Sequence, residues 1–173
     1  MNTMRLWVIL SLCLCFQAAS ADQQTQRTDS NADTATGAQS LHVIMQKNPG
    51  CGCCDIWADH LRKHGFTVDV TGNPRIYELK EKAGIPQSLY SCHTAEVGGY
   101  FIEGHVPAKD ILALLRLKPG NVRGLTVPGM PLGSPGMEHP RPQSFDTIAV
   151  GTDGAAHVFA SHEAGEDFSA DSD

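Results

Sequence analysis

Apolar side chains recur with two different periods along this chain, and the alternation between them lays out the fold. Leu41, Val43 and Met45 alternate with His42 and Gln46 around Ile44 before Asn48-Pro49-Gly50 breaks the run. A short strand entering a turn is expected there. From Cys54 to His64 the positions Ile56, Trp57, Ala58 and Leu61 share one broad helical face, and Gly65 supplies a stop. Phe66 to Val70 alternates again as a second strand. Asn73-Pro74 then offers a cap and a first-turn proline to a second helix, with Ile76, Tyr77, Leu79 and Ala83 as its buried stripe and Gly84 as its end.

Further on, Ser88 to Cys92 reads as a short strand that Val97 to Ile102 can pair with, through a turn around Thr94 to Glu96. Pro107 opens an amphipathic helix carrying Ile111, Leu112, Leu114, Leu115 and Leu117, closed by Pro119-Gly120. The order βαβαββα, with cysteines opening the first helix, is that of a thioredoxin-like α/β domain; order alone bears on fold and not on function. Residues 124–142 follow as a loop rich in proline and glycine. Phe145 to Val150 and Ala156 to Ala160 flank Thr152-Asp153-Gly154 as a β-hairpin.

The ends differ in character. Residues 1–21 carry Arg5, an apolar run from Leu6 to Phe16 and the small stretch Ala18-Ala19-Ser20-Ala21, the pattern of a secretory signal peptide. The run is too short to cross a bilayer, which takes about 20 residues, so no membrane span is expected. Residues 22–40 hold no large apolar side chain and read as a disordered tether. The expected organisation is therefore signal peptide 1–21, tether 22–40, thioredoxin-like domain 41–120, extension with hairpin 121–162 and acidic tail 163–173.

Loss of the signal removes Arg5 alone among charged residues and moves the formal net charge from −6 to −7. That sign makes nucleic acid an unsuitable partner. Export also places the chain where disulfides form, so the four cysteines beyond the signal could simply staple the domain.

Cys51-Gly52-Cys53-Cys54 superimposes two patterns: Cys51 and Cys54 have the spacing of a redox pair, and Cys53 adds a third sulfur. At a helix N-terminus free N–H groups favour thiolate, which helps a nucleophile or a ligand but serves no purpose in a structural disulfide. With Cys92 these form a soft donor set suited to Cu(I), Zn(II) or an iron–sulfur cluster. Met130 and Met137, in the turn-rich loop, favour Cu(I), because a thioether is a poor zinc ligand; each is equally well read as a gap-filler. His93 and His105 could complete a copper site, although a single loop histidine is more often solvated. His60 and His64 read as surface residues, and His42, His139, His157 and His162 are given no role. Asp55 and Asp59 suit the helix dipole.

Five short motifs occur in order: Asn48-Pro49-Gly50-Cys51-Gly52-Cys53-Cys54; Ser91-Cys92-His93-Thr94-Ala95; Gly99 to Pro107 with Glu103-Gly104-His105-Val106-Pro107; Val127-Pro128-Gly129-Met130-Pro131; and Gly133-Ser134-Pro135-Gly136-Met137-Glu138. Together they resemble the CopG-type periplasmic copper-resistance proteins, over roughly residues 41–160. The resemblance implies a thioredoxin-like domain with a metal-binding extension, a multinuclear copper cluster bridged by cysteine sulfur, and interconversion of Cu(I) and Cu(II). Carried across, it implies Cys51, Cys53, Cys54, Cys92, His105, Met130 and Met137 as ligands, with His93 beside them.

The leading expectation is thus an exported periplasmic copper-binding protein, monomeric, sequestering copper and exchanging it with an efflux system or a periplasmic copper chaperone. A thiol–disulfide oxidoreductase is the competing expectation, in which Cys51 attacks, Cys54 resolves and Ile85-Pro86 lines the substrate groove. A module stapled by two disulfides is the third.

Overall fold

The computed structural model describes residues 41–169. The expected signal peptide, tether and last residues of the tail lie outside these. Eleven elements follow in chain order: β1 (His42–Lys47), α1 (Gly52–Lys63), β2 (Thr67–Gly72), α2 (Ile76–Lys82), a 3₁₀ turn (Gln87–Leu89), β3 (His93–Val97), β4 (Tyr100–Glu103), α3 (Ala108–Leu117), β5 (Val122–Thr126), β6 (Phe145–Gly151) and β7 (Ala156–His162).

The strands form one seven-stranded sheet in the order β2-β1-β3-β4-β5-β6-β7. β1 and β2 are parallel, joined by α1, while β3 runs antiparallel to both β1 and β4. This is the thioredoxin-like α/β arrangement, widened by β5 and the β6–β7 hairpin, which continue the same sheet.

Alternation along each strand sorts the side chains between two faces. Val43, Met45, Ala95, Val97, Ile102 and Leu125 meet Trp57, Ala58 and Leu61 of α1 and Ile111 and Leu114 of α3. On the opposite face Phe101 packs with Ile85 and Val150. Ile102 and Phe101 are consecutive, so β4 feeds both cores.

Two sequence-based assignments need correction. The third strand begins at His93, after a 3₁₀ turn in place of the expected strand over Ser88 to Cys92, and its hairpin turns at Gly98-Gly99. Both glycines have positive φ, 57° and 84°, the requirement of a two-residue turn whose twist matches its strands. Residues 122–126, read largely as loop, are a strand. Gly124 looks like a breaker, yet a Cβ there would collide with the Phe101 carbonyl and ring, so the glycine is what lets β5 lie against β4.

Candidate metal centre

β1 delivers the chain through Asn48-Pro49-Gly50 to Cys51, the N-cap of α1, whose first turn holds Cys53 and Cys54. No side chain caps this helix, and the cysteines stand at the positive end of its dipole. Lys47 anchors the turn: its Nζ donates to the Cys51 carbonyl at 2.9 Å and to Asp55 Oδ2 at 2.7 Å. Lys47 also pairs with His93 in the β1–β3 register. That register brings Cys92, distant in sequence, beside the helix start.

Cys51 and Cys54 are joined as a disulfide, with Cα atoms 5.5 Å apart, while Cys53 and Cys92 are free thiols. Cys53 Sγ lies 3.4 Å from Cys51 Sγ, and Cys92 Sγ lies 3.3 Å from Cys54 Sγ. The four sulfurs lie close enough together to hold an ion between them once the disulfide is reduced. Cys54 is fully buried.

A second group, Cys92, His93 and His105, shares the Cys92 sulfur. His93 Nδ1 and His105 Nε2 lie 3.3 and 3.1 Å from it. His105 Nδ1 donates to the Pro135 carbonyl at 2.7 Å, which fixes the tautomer and leaves Nε2 with its lone pair toward sulfur. His93 Nε2 is buried with no hydrogen-bond partner among the described residues; buried polar atoms are ordinarily satisfied, and an orphan calls for an explanation.

Burial pushes the pKa of His93 well below its usual range, helped by nearby His105 and Lys80. Burial also lowers that of His105, against the Pro135 carbonyl and Glu138. Both imidazoles are therefore neutral and able to ligate. Burial, then the Cys53 sulfur, pushes the Cys92 thiol up to about 12, so a metal bound there has to displace a proton.

The extension folds over this group. The Met130 loop is pinned beside Cys92, since Gly129 N–H donates to the Tyr90 carbonyl at 3.0 Å and Ser91 Oγ donates to the Gly129 carbonyl. Met130 is half exposed. The Met137 turn seats Gly136, at φ 83°, on the first turn of α1; a Cβ there would approach Cys53 O to 2.7 Å and Trp57 N to 2.8 Å. Only glycine permits this contact. The main chain next to both methionines is thus fixed at the centre.

The scaffold behind these ligands is not legible in the sequence. Lys80, from α2, is fully buried, paired with Glu103 at 2.5 Å and bonded to Thr94 Oγ1 at 2.9 Å. Glu103 also accepts the Ser91 N–H at 2.6 Å and the Thr94 hydroxyl at 2.6 Å, so the pair holds the main chain just before Cys92. Trp57 Nε1 donates to the Val106 carbonyl at 2.9 Å. His60 is half-buried and accepts the Ala108 N–H at 3.1 Å, so it is a partnered residue at the surface and not merely a solvated one. The sole forward signal was a charged residue inside an apolar run, Glu103 after Phe101-Ile102. Pro86 caps the 3₁₀ turn, and Cys92 is the residue opposite the helix cysteines.

Together these features define an α/β protein of thioredoxin-like order with a buried sulfur–imidazole centre at the mouth of its first helix. Two solved structures are similar to this chain. One, described as copper resistance protein CopG, form 1, shares 38% identity at a TM-score of 0.68 and covers 72% of this chain and 99% of its own. The other, form 2, shares 38% identity at a TM-score of 0.67 and covers 70% and 97%. The chain belongs to the CopG copper resistance protein family. A family model described as "Protein of unknown function, DUF411" matches residues 89–137, a window that runs from the turn before Cys92 through Met137. Comparison with curated protein sequences finds no match. Among the described residues no helix is long and apolar enough to cross a membrane.

Proposed function

We propose that this protein binds copper in copper resistance, through Cys51, Cys53, Cys54 and Cys92 with His93, His105, Met130 and Met137. One observation carries the reading: Cys92 belongs both to a four-sulfur group and to a group with two neutral imidazoles. Thiolate and thioether favour Cu(I), and imidazole accepts Cu(I) and Cu(II). A sulfur shared between two donor groups supports a multinuclear centre in which it bridges, and a mixed donor set supports interconversion of the two oxidation states. The relatives' description as copper resistance proteins supports the same assignment.

The leader at residues 1–21 supports export to the periplasm, where the protein acts as a monomer that takes copper from, or passes it to, an efflux system or a copper chaperone. The test is elemental analysis with an absorption spectrum on protein purified from copper-supplemented cells. Several coppers per chain with thiolate-to-copper absorption are expected, and Cys53→Ser should lose copper while staying folded. Metal-free wild-type protein under those conditions would overturn the assignment.

A second reading, thiol–disulfide oxidoreductase, is favoured by the Cys51–Cys54 disulfide itself. Fast reduction of an insulin-type substrate by the metal-free protein would support it; a slow rate, slowed further by copper, would support the copper reading.

A further inference from the structure

Two of the four sulfurs proposed to bind copper, those of Cys51 and Cys54, are also the ones joined as a disulfide. Cys51 and Cys54 are bonded to each other, and each of their sulfurs touches one that stays free: Cys51 with Cys53 at 3.4 Å, Cys54 with Cys92 at 3.3 Å. The pairing leaves Cys53, Cys92, His93 and His105 as donors, two soft sulfurs and two neutral imidazoles. A copper ion on either free cysteine is therefore within contact reach of a disulfide sulfur. The site has two compositions, four thiols or one disulfide with two thiols, and it retains a donor set for copper in both.

Resting on the copper-binding reading, we infer that Cys51 and Cys54 are a two-electron store for the copper they help to bind. Two Cu(II) ions accept one electron each from the Cys51 and Cys54 thiolates. One S–S bond forms and two Cu(I) ions result. Starting from thiols, two protons are released as well. The Cu(I) ions pass to Cys53 and Cys92, the sulfurs that suit them.

The reverse step is equally balanced: two Cu(I) ions reduce the disulfide and leave as Cu(II). Alternatively a dithiol reductant resets the pair by attacking one of its sulfurs and releasing the other as a thiolate, through a mixed disulfide. Cys51 is the accessible sulfur for this attack, since Cys54 is fully buried. Cys51 and Cys54 suit the task because their Cα separation of 5.5 Å lies within the range a disulfide spans without backbone movement. The bond can open and close while the helix stays in place.

The experiment mixes the purified, fully reduced, metal-free protein with two equivalents of Cu(II) under anaerobic conditions and no other reductant. The Cu(II) paramagnetic resonance signal is followed, and thiols are alkylated and mapped by mass spectrometry after the copper is stripped. The expected result is loss of two Cu(II) signals for each Cys51–Cys54 disulfide formed, with Cys53 and Cys92 still alkylated. Cys51→Ser and Cys54→Ser should each slow Cu(II) loss at least tenfold, with unchanged far-UV circular dichroism.

A persistent Cu(II) signal on copper-loaded wild-type protein with four intact thiols would overturn the inference and leave the binding assignment standing. So would electrons drawn from Cys53 and Cys92, or from disulfides between chains. Formation of the Cys51–Cys54 disulfide with copper released to solution would instead overturn the binding assignment and uphold the electron store. The wild-type mapping decides the matter even if neither serine variant folds.

Discussion

His105 Nε2 lies 3.1 Å from Cys92 Sγ while its other ring nitrogen donates to the Pro135 carbonyl. The imidazole therefore spans the centre and the extension: one nitrogen is fixed by the loop after β5, and the other is aimed at the sulfur preceding β3. A ligand held on both sides loses little further freedom when a metal binds, which is how outer-sphere hydrogen bonds raise affinity. The extension thus acts on the centre through a backbone carbonyl as well as through its methionines.

Cys92 is the sulfur common to both donor groups, so its loss should do more damage than the loss of Cys51, which belongs to one. Cys92→Ser is expected to leave less than half the copper of the wild type. Cys51→Ser, which leaves the Cys92–His93–His105 group whole, should retain more. Elemental analysis of the two variants, prepared side by side with circular dichroism as a folding control, checks the order. Equal losses would mean that the two groups do not bind separately.

Lys80 and Glu103 are both fully buried and bonded to each other. Removing one partner strands a charge in the interior, which typically costs about 3–5 kcal/mol, whereas replacing both by apolar residues is often close to neutral. Glu103→Leu should therefore unfold at much lower urea concentration than the wild type. Lys80→Met with Glu103→Leu should recover most of that loss. The double variant, folded again, should still bind copper more weakly, because the Ser91 N–H that positions Cys92 has lost its acceptor.

His60 serves the N-terminus of α3 from another helix. Pro107, the N-cap, offers no side-chain cap, and the Ala108 N–H donates to His60 Nε2 instead. Burial, then His64 and Lys63, lowers the His60 pKa from 6.5 to about 4. The neutral ring accepts the hydrogen bond, and the charged ring cannot; it would also face the positive end of the helix. With its folded pKa depressed, His60 contributes stability that is present above pH 6.5 and is lost as the pH falls toward 4. At about 1.4 kcal/mol per pKa unit, discounted for the partial exposure of the ring, the contribution is on the order of 2 kcal/mol. His60→Gln, which accepts without titrating, should flatten the dependence of the urea midpoint between pH 6.5 and 4, and an unchanged slope would assign it elsewhere.

What the sequence displayed of this protein follows from which signals are local. The helices and β1, β2, β6 and β7 rest on periodicity and turn chemistry within a dozen residues, and they were legible. β3 and β4 are displaced from the expected strands because the chain turns at Gly98-Gly99, where both residues have positive φ, and not around Thr94 to Glu96, which lie within β3. β5 was hidden by Gly124, whose role depends on Phe101 across the sheet. The cysteines, His93 and His105 stood out by residue type and by family resemblance. Their supports did not: Lys80 on a short helix has no visible partner until Glu103 from β4 is placed beside it, and His162 has no role until Asp110 is placed beside it.

That last contact gives the acidic tail a structural part. His162 is buried between two carboxylates, with Nε2 2.9 Å from Asp110 Oδ2 and Nδ1 3.1 Å from Glu166 Oε2. Thr147 Oγ1 donates to the same Asp110 oxygen at 2.6 Å, and the rings of Phe145 and Phe168 flank the imidazole. Lys109 pairs with Glu166 and sits 5.3 Å from the Phe168 ring centre. Burial opposes charge on His162, but hydrogen bonds and attraction from Asp110 and then Glu166 overcome it and raise the pKa above 6.5. The sign is opposite to that of His60. With a raised folded pKa, the His162 contribution is fully present below pH 6.5 and is lost as the pH rises through the folded value. The Glu166 contact should then weaken, while the rest of the sheet is unaffected. Hydrogen exchange, corrected for its intrinsic pH dependence, should show protection at 166–169 falling above neutral pH. Glu166→Gln should lower that protection already at pH 6 and reduce its further change with pH. Protection that is independent of pH in the wild type would mean that Lys109 and the Phe168 ring hold the tail without help from His162.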